Sequence, residues 1–138
     1  MSDKPFEKVE IDFINDSLNS FIQEWNNHGN NLTAGFELFY DQVIVLGVDE
    51  SKVDASGCSI DSSVRKMKEI SDELGKDLFN RMNVGVVDGE ALTVIPVSNW
   101  QNSDVKTKPV LNNLITTKAE LNSSWKVQAE TTWLSRFL

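Results

Sequence analysis

Reactive and cross-linking side chains are scarce in this 138-residue chain: one cysteine, one histidine and one tyrosine, with three prolines. A lone Cys58 cannot close an intramolecular disulfide, which removes a disulfide framework and fits a reducing compartment. One Cys and one His cannot make a tetrahedral zinc site without carboxylates. Positive charge is also short: 13 Lys and Arg face 21 Asp and Glu, a net charge of −8, which repels polyphosphate and argues against nucleic-acid partners. No apolar run is long enough to span a bilayer, and the opening M-S-D-K-P-F-E-K-V-E lacks the basic and apolar segments of a secretion signal. The expectation is a soluble cytoplasmic protein without membrane insertion.

What is present reads as one globular domain with a real core, since 40% of residues are hydrophobic and 25% charged. From Val9 to about Asn27, Ile11, Ile14, Leu18, Phe21, Ile22 and Trp25 recur at three-and-four spacing, which predicts a helix ending in a left-handed cap and loop over Asn26–Asn31. Gly35–Tyr40 alternates as a strand, Asp41-Gln42 suits a hairpin turn, and Val43–Val48, apolar on both faces, predicts a central strand. A second helix follows, with Ile60, Val64, Met67, Ile70 and Leu74 on one face, Ser59 as its cap, Asp61 and Ser62 in its first turn and Gly75 as its stop.

Val84–Val87 and Ala91–Ile95 flank Asp88-Gly89, a hairpin signal. Beyond Pro96 the pattern weakens: Ser98–Asp104 suits a short helix, Val110–Ile115 a strand or apolar arm, and Thr117–Glu120 a capping box. The fold class expected is α+β: a single domain over residues 1–138, in the order α-β-β-α-β-β. Its mainly antiparallel sheet has four or five strands with helices on one face. Residues 1–8 read as a flexible lead and 105–138 as a weakly patterned tail.

Two regions carry candidate chemistry. The strand-to-helix turn over residues 49–61 holds Asp49, Glu50, Ser56, Gly57, Cys58, Ser59 and Asp61. A helix N-terminus with a flexible glycine and hydroxyl residues suits an anion or carboxylate ligand and favours a thiolate; an ordinary serine cap needs the same residues. Asp49, Glu50 and Asp54 oppose thiolate formation at Cys58, and His28, the one imidazole, is distant in sequence. The acidic residues do not follow the spacing of a calcium-binding loop, so no metal or other cofactor is implied. The second region is the C-terminal tail, where Trp125, Trp133, Arg136, Phe137 and Leu138 offer anchors for a protein partner or a second copy. The competing reading makes these aromatics part of the core.

Val45–Ser51, Ala55–Val64, Asn112–Lys118 and the Trp133–Leu138 ending together resemble a family of small proteins from Bacteroidetes-type bacteria, often labelled "ABC transporter ATPase". The resemblance covers most of the chain and brings no site residues with it. The label fails on chemistry. A phosphate-binding loop needs G-x-x-x-x-G-K-[ST], whereas Gly75-Lys76 is followed by Asp77, has Ile70 where the first Gly belongs, and follows a helix rather than preceding one. With no catalytic set in view, the expected function is a non-catalytic protein-interaction or self-associating domain. The alternative is a small-molecule or anion-binding protein, conceivably an enzyme, that uses the turn at 49–61.

Overall fold

The computed structural model describes residues 1–138 as an α+β protein whose strands all pair antiparallel. The chain divides into two compact units, Met1–Phe79 and Asn80–Leu138. No helix is long and apolar enough to cross a membrane.

The first unit begins with α1, Lys8–Glu24, whose Ile14 and Leu18 are fully buried. Glu7 and Glu10 close a reciprocal capping box at its start, so one carboxylate satisfies a helix-end amide while the other returns the bond. The helix stops earlier than its apolar period suggests. Trp25 turns extended, and Asn26–Asn31 forms a small hairpin, β1 (Asn26–Asn27) with β2 (Asn30–Asn31), rather than a left-handed cap and loop. His28 and Gly29 occupy the positive-φ loop positions, and the Leu32 N–H closes the hairpin on the Trp25 carbonyl at 2.9 Å.

Strands β3 (Thr33–Phe39) and β4 (Val43–Asp49) then pair in register from Thr33↔Asp49 to Phe39↔Val43. Phe36, Leu38 and Ile44 pack on a core of Phe6, Ile14, Leu18 and Ile70. Tyr40 and Asp41 turn this hairpin with φ of 57° and 53°, a left-handed conformation that costs a non-glycine residue free energy and persists only where neighbours hold it. The lead-in segment supplies that hold. The Phe6 N–H donates to the Asp41 carbonyl at 2.7 Å and the Ser2 N–H to the Gln42 carbonyl at 2.8 Å. The first residues are thus packed, with Ser2 and Phe6 buried, rather than a flexible lead.

Helix α2, Gly57–Leu74, completes the unit. Ile70 is buried and Met67 and Leu74 pack beside it, but Ile60 and Val64 stay exposed, so the helix uses only the later part of its apolar stripe. The expected stop holds: Gly75 sits at φ 62°, with its N–H on the carbonyls of Ser71 and Asp72.

In the second unit, β5 (Asn83–Asp88) and β6 (Ala91–Pro96) form the expected hairpin, with Gly89 at φ 62° as the first of two loop residues. Short strands β7 (Val110–Leu111) and β8 (Lys126–Val127) extend the sheet in the order β6-β5-β7-β8. Helix α3 (Val97–Gln101) and a 3₁₀ turn link β6 to β7, helix α4 (Lys118–Ser123) links β7 to β8, and two further 3₁₀ turns follow β8. Thr117 and Glu120 form the expected capping box. Val84, Val86, Trp100, Val110, Ala129 and Leu134 are the core.

The expectation of one sheet of four or five strands is corrected. Eight strands fall into three sheets, two of them two-stranded. The strands paired on both edges are β5, buried at four successive positions, and the short β7, and not β4, which pairs on one edge only. An apolar run on both faces reports that hydrophobic surface is covered, not that two strands flank it; β4 has β3 beside it and helices over one face, and no second strand pairs with it.

Candidate functional site

The turn between β4 and α2 was the sequence's first candidate, and its polar groups are largely occupied by the turn itself. Ser56, not Ser59, is the N-cap. Its hydroxyl accepts the Ser59 N–H at 3.2 Å, while the Ser59 hydroxyl accepts the Ser56 N–H at 2.6 Å and donates to the Ser56 carbonyl at 2.9 Å. The cap moves three residues upstream because the helix begins at Gly57. Ser59 then sits at the third helical position, where its hydroxyl reaches back as the Glu of a capping box would.

The neighbouring acids serve the loop as well. Asp49 accepts the Ser51 N–H at 2.9 Å, which holds its carboxyl below the ordinary value of 3.8, and Glu50 accepts the Ala55 N–H at 3.3 Å. From outside the loop, the Trp25 indole N–H donates to the Ser59 carbonyl at 2.8 Å, and the Asn27 amide donates to the Asp54 carbonyl at 2.7 Å. An anion at this helix start would find Ser56, Ser59 and two loop amides already paired. Cys58 is exposed at the second helical position. No three of the chain's His, Cys, Asp and Glu side chains converge on a point that would hold a metal ion, so Asp49, Glu50, Asp54 and Asp61 do not form a joint site.

The tail residues divide. Trp125 is a core residue, 4% exposed, with its indole N–H donating to Asn113 Oδ1 at 3.0 Å. Leu134, which was not among the sequence candidates, is also buried, at 2% exposure, in the core that holds Val110 and Ala129. Trp133 and Phe137 pack edge to face at 5.9 Å against the second unit's core. The Arg136 guanidinium lies 5.4 Å from the Trp133 ring and 5.3 Å from that of Phe137. Such cation–π placement over two rings fixes the arginine and covers their outer surface. Of the five tail residues singled out from the sequence, only Leu138, 61% exposed, is a free apolar tip.

A third region was not legible in the sequence. Helices α1 and α2 run antiparallel: Trp25, after the end of α1, bonds Ser59 near the start of α2, and Glu10 near the start of α1 pairs with Lys76 beyond the end of α2 at 3.8 Å. Two adjoining depressions follow their seam. One of about 250 Å³ is lined by Val9, Glu10, Phe13, Glu73 and Leu74. The other, of about 410 Å³, is lined by Phe13, Ser17, Lys66, Glu69, Ile70 and Glu73. Phe13 and Glu73 belong to both.

Val9 is 71% exposed and Phe13 36%. Four residues apart, they share a helix face that lies beside, and outside, the Ile14/Leu18 stripe facing the core. That i, i+4 apolar pair off the main stripe was the available signal. Around it the rim is acidic. Glu69 is paired to Lys66 at 3.3 Å and Glu10 to Lys76, which leaves Glu73 without a cation.

No family model, curated protein or solved structure matches this chain.

Proposed function

We propose that this protein is a non-catalytic protein-interaction module, and that its working surface is the α1–α2 seam. The observation that carries the reading is the exposure of Val9 and Phe13 along two adjoining depressions that Leu74 and Ile70 also line. Large apolar side chains gathered in a depression with a polar rim are the anatomy of a protein-binding patch. The tail contributes less to this reading than the seam, because Trp125 and Leu134 are interior and Arg136 covers Trp133 and Phe137. Membership of the small bacterial family that residues 45–51, 55–64, 112–118 and 133–138 resemble is part of the same proposal and brings no residue role with it.

The ligand-binding alternative at 49–61 has weaker support, since the turn's hydroxyls and carboxylates bond its own backbone. Phe13→Gln separates the two readings, because Gln keeps the helix and removes the ring. Proteins recovered with the wild-type chain from its own cells are expected to be lost from Phe13→Gln while the unfolding midpoint is unchanged. Recovery of the same proteins by both chains overturns the reading. So does a saturable rise in melting temperature with phosphate or Mg-ATP that Cys58→Ala abolishes and Phe13→Gln leaves intact.

A further inference from the structure

We infer that the α1–α2 groove receives a basic amphipathic helix, a partner segment with apolar anchors at i and i+4 flanked by Lys and Arg. The inference rests on the interaction-module reading and adds the chemistry of the occupant.

Charge makes the choice. Residues 1–79 hold sixteen Asp and Glu against seven Lys and Arg, a net −9, while residues 80–138 hold five against six, a net +1. All of the chain's excess negative charge therefore belongs to the unit that carries the groove. At the groove itself Glu10, Glu69 and Glu73 stand on the rim. The two nearby lysines are already matched one to one with Glu69 and Glu10, so Glu73 is left to meet an incoming cation. A second copy of this chain docking by the same face would set one acidic unit, net −9, against another, and like charges brought together oppose association.

Shape sets the length. From the Val9 end to the Ser17 end the seam covers nine residues of α1, whose eight rises of 1.5 Å span about 12 Å. That is roughly two helical turns, which a partner fills with an anchor in each depression, about one turn apart. Because Phe13 lines both depressions, its ring is placed to contact both anchors. A Lys or Arg flanking the stripe then reaches Glu73, and its aliphatic stem covers the edge of the groove.

The test uses the full chain and three fluorescein-labelled peptides of about 14 residues, by polarisation. One peptide has a Leu stripe at i, i+4 and i+7 with Lys on both flanks. The second has Glu for Lys, and the third is the first with its order scrambled. The Lys peptide is expected to bind saturably and to weaken as salt rises, because flanking charges are screened. The Glu and scrambled peptides are expected to bind at least about tenfold more weakly. Phe13→Gln and Glu73→Gln are each expected to weaken the Lys peptide about five- to tenfold with an unchanged unfolding midpoint.

Equal binding of the ordered and scrambled peptides, or no effect of Phe13→Gln, overturns the inference. So does a concentration-dependent dimer in sedimentation that Phe13→Gln dissolves, since the occupant is then a second copy. If no peptide binds yet Phe13→Gln still loses the cellular partners, the partner chemistry falls and the module reading stands. If Phe13→Gln keeps those partners, the module reading itself falls.

Discussion

Replacing Ser56 with alanine removes the oxygen that accepts the Ser59 N–H at 3.2 Å, while leaving the Ser56 carbonyl that accepts the Ile60 N–H and the Ser59 hydroxyl. Losing a serine N-cap costs about 0.5–2 kcal/mol. Ser59 is 2% exposed, so water reaches its orphaned amide poorly, and the upper half of that range, about 1–2 kcal/mol, is expected. In urea this moves the midpoint down by roughly 0.5–1 M with the slope unchanged, for a slope of about 2 kcal/mol/M. Tryptophan fluorescence reads it well, because the Trp25 indole is bonded to the carbonyl of Ser59.

Ser56→Asp supplies another capping oxygen and is expected to stay within about 0.5 kcal/mol of wild type. Ser59→Ala removes the acceptor of the Ser56 N–H. Because the two serines bond each other, the double variant is expected to lose less than the two singles combined, by at least about 0.5 kcal/mol. A Ser56→Ala midpoint equal to wild type, or strictly additive losses, would refute the claim that this reciprocal cap holds the turn. An equal loss in Ser56→Asp would refute the role given to the capping oxygen.

Two further tests address local chemistry. Gly75→Ala is expected to cost about 1 kcal/mol: a Cβ there meets no atom within 4 Å, so the penalty is the left-handed φ of 62° alone. A denaturation midpoint unchanged from wild type would remove that account. The Glu120 carboxyl is held below its ordinary value of 4.5 by the backbone N–H groups of Thr116 and Thr117. A group with a depressed folded pKa contributes stability that is present above the unfolded value and lost as pH falls through the folded one. Glu120→Gln is therefore expected to lower stability at pH 7 and to converge with wild type only as pH falls below 4.5 and through the lower folded value, measured by urea midpoints from pH 7 downward; parallel curves at every pH would contradict it.

Local chemistry made much of this chain readable. The three-and-four spacing of Ile11, Ile14 and Leu18, the Asp88-Gly89 hairpin, the Gly75 stop and the Thr117–Glu120 box each act over a few residues, so the sequence alone determined those elements, the α+β class and the antiparallel pairing between neighbours. The Ser56 cap was legible too, but it was assigned three residues late because Ser56 and Ser59 both suit the position and only the helix start decides between them. Tertiary structure decided what depends on distant partners. It put β5 rather than β4 at the centre of a sheet, since strand order is set by edges that meet across the chain and not by the apolar run itself. It buried Trp125 and Leu134 and left Leu138 outside. It also brought Glu73 beside Phe13, sixty residues earlier, to make a groove that neither helix has alone: periodicity fixes which face a side chain takes on its own helix, while the second wall of a groove comes from a segment whose position no local pattern encodes.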